Sequence, residues 1–178
     1  MNSVPDPAGL PAALAARPWD PRRGVPIPVT NEHQTDEGLV VDFTSINAQR
    51  AQHCAEQGLC GMCGTALDYW IAFLGGPSSA AHLTYPDPGT HLDCVLAAIT
   101  WCPHLAIQRH RRVPDHRLRP DTVLPEDFTD DKPDQWVLGL TRSYRHGLVR
   151  GTLRFYPAPF KHVRRFAYTD GRLAEVTS

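Results

Sequence analysis

The sequence predicts one small α+β domain organised around a metal site, and three observations indicate this fold class. The chain has 178 residues, which is enough for one domain with its own core. Its 17 prolines are about twice the usual share of ~5% and leave room for few long helices. A Cys-x-x-Cys pair precedes a His-x-x-Cys pair, and the residues from 136 onward alternate as β-strands do.

The N-terminal part is predicted to be irregular. Residues 1–22 are rich in proline and alanine with little apolar patterning, so we expect a mostly disordered arm before a single domain at 23–178. The stretch 24–29 should be extended, because its two prolines push the residues before them out of the helical region.

The middle of the chain predicts two strands and two helices. GLVVDF at 38–43 and LDYWIAFL at 67–74 have the composition of strands. A helix capped by Thr44 or Ser45 should lie between them and end at Gly58. A second helix, capped by Thr90, should begin at His91 and stop before Pro103.

The C-terminal part is predicted to be antiparallel β-structure after an irregular stretch at 103–135. WVLGLTRSYR and LVRGTLRFY flank His146-Gly147, and HVRRFAYT and RLAEV flank Asp170-Gly171. Both dipeptides are typical of hairpin turns.

Four residues are the predicted metal ligands: Cys60, Cys63, His91 and Cys94. A Cys-x-x-Cys turn directs two thiolates at one ion, and a His and a Cys three residues apart share one face of a helix. Sulfur with imidazole suits tetrahedral Zn²⁺. The order of cysteine turn, strand and helix resembles a treble-clef zinc site. Four protein ligands would saturate the zinc and make it structural.

Two other cysteines are rival ligands. Cys102 lies eight residues beyond Cys94, which is roughly 12 Å along a continuous helix, so it joins the site only if that helix breaks early. Cys54 is expected in the core. A disulfide is the alternative use of the Cys-x-x-Cys pair, but the chain shows no export signal and we expect it in the reducing cytoplasm.

The two stretches LCGMCGTALDYWIAFLGGP and HLDCVLAAITWCPHLAI are similar to the pattern CxVCGxxL…FVIGPM…HxxCAxxAxxxCPFL. With this pattern the chain resembles a family of small, uncharacterised actinobacterial and actinophage proteins. RGVPIPV and FAYTDGRLAEV are weaker counterparts. The resemblance implies a shared Cys/His frame and no particular activity. The chain has Ser78 and Ser79 where the family commonly has a cysteine after the Gly-Pro.

The charge distribution allows an anionic partner. Residues 1–100 hold 4 Arg or Lys against 10 Asp or Glu, whereas residues 101–178 hold 14 against 9. Guanidinium groups bind phosphates, so the candidate anion-binding residues are Arg109, Arg111, Arg112, Arg117 and Arg119. A solvated surface balanced by the acidic residues at 126–134 is the alternative.

The sequence leaves three functions open. The first is a non-catalytic zinc module that binds nucleic acid, another anionic macromolecule or a protein. The second is a metal-dependent enzyme, such as an HNH-like nuclease or another hydrolase, with fewer than four protein ligands and a histidine such as His82 or His104 beside an open metal position. The third is a phage-related or accessory protein that acts by protein association alone. No run of residues approaches the ~20 apolar residues of a membrane span.

Overall fold

The structure is a computed structural model that describes residues 9–108 and 132–177. This part of the chain is mixed α and β, as predicted. Its helices are α1 (Ala12–Ala15), α2 (Ala48–Gln57), α3 (Pro77–His82), α4 (Leu92–Trp101) and α5 (Pro103–Ala106). Its strands are β1 (Trp19–Asp20), β2 (Val25–Pro26), β3 (Glu32–Thr35), β4 (Gly38–Val41), β5 (Ile71–Gly75), β6 (Gln135–Thr141), β7 (Tyr144–Val149), β8 (Thr152–Pro157), β9 (His162–Thr169) and β10 (Arg172–Val176). None of these helices is both long enough and apolar enough to span a bilayer.

An antiparallel four-stranded sheet in the order β10-β9-β6-β5 forms the centre of the fold. Strand β6 has a neighbour on each side, and its last five residues are all buried. One face of the sheet packs against α4, where Leu138 and Phe166 meet Val95 and Ile99. Burial on both faces explains why the β6 sequence is continuously apolar instead of alternating.

The other face of the sheet is filled by aromatic rings. The Phe73 ring lies 5.1 Å from the Tyr85 ring and 5.2 Å from the Tyr144 ring. Phe73 pairs with Gly139 on β6, and a Cβ at Gly139 would lie 2.4 Å from the Phe160 ring. The missing side chain at Gly139 therefore lets Phe160 close the β7-β8 hairpin against the sheet.

Helix α2 begins later than predicted. Its N-cap is Asn47, whose side chain accepts a hydrogen bond from a backbone amide of the first turn. The hydroxyls of Thr44 and Ser45 instead donate to the Asp42 carboxylate in the turn before the helix. Gly58 ends α2 as predicted, in the left-handed conformation with φ +64°.

The segment between the cysteine turn and α4 differs from the prediction at two boundaries. The strand expected at 67–74 starts only at Ile71, because the preceding residues belong to a loop that returns to α2. His91, not Thr90, is the N-cap position of α4, and the Thr90 hydroxyl donates to the Ala72 carbonyl of β5. Trp101 is the last residue of α4, so the helix stops before Pro103 as predicted.

One of the two predicted hairpin turns is misplaced. His146-Gly147 lies inside β7, opposite Phe155 and Arg154, and the chain reverses at Arg150-Gly151. Arg150 and Gly151 adopt φ +49° and +78°, which is the pair of positive φ angles that a tight hairpin turn needs. The turn at Asp170-Gly171 is where the sequence placed it, with φ +51° and +78°.

The sequence places a disordered arm over 1–22, whereas residues 9–22 contain α1 and β1 in the structure; residues 1–8 lie outside the described part. Leu10, just before α1, and Leu14, inside it, are only 9% and 3% exposed. Both pack into a cluster with Cys60, Cys63 and Cys94. The Trp19 ring meets the Trp101 ring edge-on at 6.2 Å.

An ion-pair network also holds the N-terminal segment. Glu32 is 4% exposed and binds the guanidinium groups of both Arg17 and Arg50. The buried carboxylate thus ties residues just after α1 to the first turn of α2. These contacts join positions far apart in the chain, so local composition gave no sign of them.

We expect Leu14→Ala to destabilise the protein by about 2–5 kcal/mol, because the change leaves a cavity beside the buried cysteines. Leu39→Ala is the matched control, since Leu39 is 49% exposed. Chemical denaturation of both variants measures the difference. Equal stability of the two variants would show that α1 does not anchor the N-terminal segment.

We expect Gly139→Ala to lower the free energy of unfolding by about 1–3 kcal/mol, because the new methyl group overlaps Phe160. Gly147→Ala is the control, as a Cβ at Gly147 meets no atom within 4 Å. Urea titration of the two variants gives the comparison, and a Gly139→Ala protein as stable as the control would contradict the packing described.

Candidate metal centre

The four predicted ligands come together in the folded chain. The sulfur atoms of Cys60, Cys63 and Cys94 and a ring nitrogen of His91 all lie within 4.8 Å of one another. The three cysteines are buried and the histidine is half-buried. Ligands around a tetrahedral zinc at ~2.3 Å from each sulfur lie roughly 3.8 Å apart, so the cluster has the size of one metal site.

A tight turn presents the first two thiols. Gly58 ends α2 and delivers the chain into Cys60, whose amide donates to the Thr65 carbonyl. The Gly64 amide then donates to the Cys60 carbonyl, and Gly64 adopts φ +78°. These bonds fold residues 60–65 into a loop that directs both thiols to the same side.

The start of α4 presents the other two ligands. His91 is the N-cap residue and Cys94 is in the first turn, where a helix carries partial positive charge that favours a thiolate. The Thr90 and Ala72 backbones exchange two hydrogen bonds, which fix this helix end to β5. The His91 amide donates to the Cys60 sulfur at 3.3 Å and so joins the two halves of the site.

Hydrogen bonding selects one ring nitrogen of His91 as the ligand atom. Nε2 lies 2.8 Å from the Ala66 carbonyl, which can only accept, so Nε2 carries the proton. Nδ1 then has the free lone pair, and it lies 3.3 Å from the Cys63 sulfur and 3.9 Å from the Cys94 sulfur. A carbonyl that orients a histidine in this way is common behind metal sites.

The three sulfurs perturb one another strongly. Hydrogen bonds from the Cys60 and Cys94 thiols lower the pKa of Cys63 far below its usual range. The contacts with Cys60 and Cys63 raise the pKa of Cys94 well above its usual range, and the contact with Cys63 raises that of Cys60. Without a bound cation, these contacts favour one thiolate, on Cys63, and oppose the ionisation of the other two thiols. A bound cation would remove that opposition.

The other sulfur and imidazole groups considered from sequence are not among the four clustered ligands. Cys54 is buried inside α2, and Cys102 lies at the far end of α4. The His82 Nδ1 donates to the Ser78 carbonyl at 2.9 Å on exposed α3. His104 lies in α5, with its ring 6.3 Å from that of Trp136. All five cysteines are free thiols.

The candidate anion-binding arginines cannot be placed at this centre. Arg109, Arg111, Arg112, Arg117 and Arg119 all lie outside the described residues.

Sequence reasoning missed the groups that surround the ligands. Leu10 and Leu14 cover the sulfurs from the N-terminal side, and the Ala66 carbonyl orients His91. The i, i+4 spacing of Leu10 and Leu14 was the sequence signal that could have predicted the burial of these two side chains. A backbone carbonyl leaves no signal in a sequence.

Comparison of the chain with known family models, curated proteins and solved structures finds no match.

We expect Cys60→Ser and Cys94→Ser to lower Tm by about 10 °C or more. A structural zinc contributes about 10–16 kcal/mol to folding, and each kcal/mol lost lowers Tm by about 2–4 °C in a chain of this size. Cys102→Ser is the control and should melt close to the wild type. Differential scanning fluorimetry makes the comparison, and a Cys94→Ser protein that melts with the control would contradict the assigned site.

Proposed function

We propose that Cys60, Cys63, His91 and Cys94 bind one Zn²⁺ and that the ion is structural. The observation that carries this proposal is the convergence of four protein donor atoms within 4.8 Å. Three thiolates and one imidazole match the soft donor set that zinc prefers. Four protein donors fill a tetrahedral shell, whereas the enzyme alternative needs a position open to water.

The treble-clef arrangement is part of the same proposal. It is supported by the order of the elements, in which the cysteine turn is followed by β5 and then by a helix with two ligands at its start. We also propose that the chain belongs with the actinobacterial and actinophage proteins that it resembles. Their extra cysteine is not needed for this ligand set, because Ser78 and Ser79 lie in α3, apart from the cluster.

We propose that the zinc-bound domain is a non-catalytic binding module for an anionic macromolecule. Residues 135–169 contain seven Arg or Lys and no Asp or Glu, and they supply β6 to β9. This concentration of positive charge favours an anionic partner over a neutral protein surface. The free thiols fit a reducing compartment, and we propose the cytosol.

Elemental analysis and cobalt substitution test the metal proposal together. We expect about one zinc per chain, and strong thiolate-to-cobalt absorption that reports three sulfur ligands. Cys102→Ser should leave the cobalt spectrum unchanged, whereas Cys63→Ser should weaken the charge-transfer bands. A folded, metal-free protein, or a spectrum typical of an octahedral site with few sulfurs, would overturn the proposal.

A further inference from the structure

An exposed aromatic and cationic cluster lies beside the metal centre. Tyr69 is 61% exposed and is the single aromatic residue among the exposed large hydrophobic side chains of the described part. The Arg142 guanidinium lies over its ring at 3.4 Å from the centroid and donates to its hydroxyl. The Trp70 ring meets the Tyr69 ring edge-on at 5.2 Å, and the His162 ring follows at 5.0 Å from Trp70.

The strand register explains why these residues meet. Trp70 directly precedes β5, Arg142 directly follows β6, and His162 begins β9. These three chain positions lie at the same end of the antiparallel sheet, because Ile71 pairs with Thr141 and Leu140 pairs with His162. The cluster therefore lies at one end of the sheet, on residues that begin or directly adjoin its strands.

The metal centre fixes the segment that carries the two large rings. The Leu67 amide donates to the Gly58 carbonyl, and the Ala66 carbonyl holds His91. Tyr69 and Trp70 follow within three residues. The carboxylate of Asp68, which directly precedes Tyr69, lies 3.9 Å from His91 Nε2.

Two cationic residues lie at the same end of the sheet as these rings. Arg142 and Lys161 are both exposed, and neither forms an ion pair with a carboxylate in residues 9–108 or 132–177. The Lys161 amide donates to the Leu140 carbonyl, which places this lysine at the same end of the sheet. An exposed ring beside cations that have no carboxylate partner among the described residues is suited to a ligand that brings flat rings and phosphates together.

We propose that this cluster is the contact site for single-stranded nucleic acid, with an unpaired base stacked on the face of the Tyr69 ring that Arg142 does not cover and phosphates on Arg142 and Lys161. Bases stack on exposed aromatic side chains while basic side chains follow the backbone. The proposal rests on the binding function proposed above and names its partner.

Single-stranded nucleic acid fits the cluster better than a duplex or an acidic protein. Bases in a duplex are already stacked on one another and cannot reach the ring of Tyr69, whereas unpaired bases can. An acidic protein would use the arginine and the lysine but would leave the exposed aromatic ring without a matched partner.

Binding can be measured by fluorescence anisotropy of a labelled oligothymidylate of about 15 nucleotides. We expect the zinc-loaded wild type to bind it more tightly than a duplex of equal length. Tyr69→Ala should raise Kd by about 5- to 150-fold, the usual loss for one stacked base. Arg142→Gln should raise Kd and reduce the slope of log K against log salt by about 0.7.

Two variants serve as matched controls. Leu39→Ala removes another exposed apolar side chain, and Arg22→Gln removes an exposed positive charge outside the cluster. Both should bind the oligonucleotide like the wild type. The zinc content and Tm of every variant must equal those of the wild type. A weaker affinity can then be assigned to the lost contact and not to unfolding.

Trp70 gives a direct readout of the site. We expect the oligonucleotide to quench tryptophan fluorescence, and Trp70→Phe to remove most of that quenching although Trp19, Trp101 and Trp136 remain. Equal affinity for duplex and single strand, or wild-type affinity in Tyr69→Ala, would overturn the proposal. So would retention on heparin without oligonucleotide binding. These failures leave zinc content intact, so they are distinct from failure of the metal proposal.

Discussion

The structure depends on three sulfur atoms held close together in a buried place. Cys60 and Cys63 come from one tight turn and Cys94 from the start of α4, and their mutual contacts oppose the ionisation of more than one of them. A divalent cation turns that opposition into attraction, because each thiolate then faces a positive charge. A cation bound at this site would cross-link the cysteine turn and the start of α4. The apolar N-terminal helix α1 covers the same sulfurs and excludes water from them.

The loop after the cysteine turn connects the Cys/His cluster to the surface. The loop that closes the cysteine turn also orients His91 through the Ala66 carbonyl, and it leads directly into Tyr69 and Trp70 at the end of the central sheet. A structural ion bound there would influence the proposed binding site without touching the partner. In the proposed arrangement the ion would fix the position of the rings, and Arg142 after β6 and Lys161 before β9 would provide the charge.

The grouping of Cys60, Cys63, His91 and Cys94 and most of the elements were predictable, because short-range patterns determine them. Gly58 as a helix stop, Pro103 as the limit of α4 and Asp170-Gly171 as a turn each follow from local backbone preferences. The structure differs from the sequence-based predictions where tertiary contacts determine the local conformation. Arg150-Gly151 forms the hairpin turn because His146 pairs with Phe155 at the core, and the proline-rich N-terminus is ordered by two buried leucines. The anion-binding role of the arginines at 109–119 remains a prediction.

Zinc K-edge X-ray absorption on the purified protein tests the central claim most directly. The account predicts a first shell of three sulfurs at about 2.3 Å and one nitrogen at about 2.0–2.1 Å. A shell with two or fewer sulfurs, or one that includes water oxygen, would contradict a saturated site of Cys60, Cys63, His91 and Cys94.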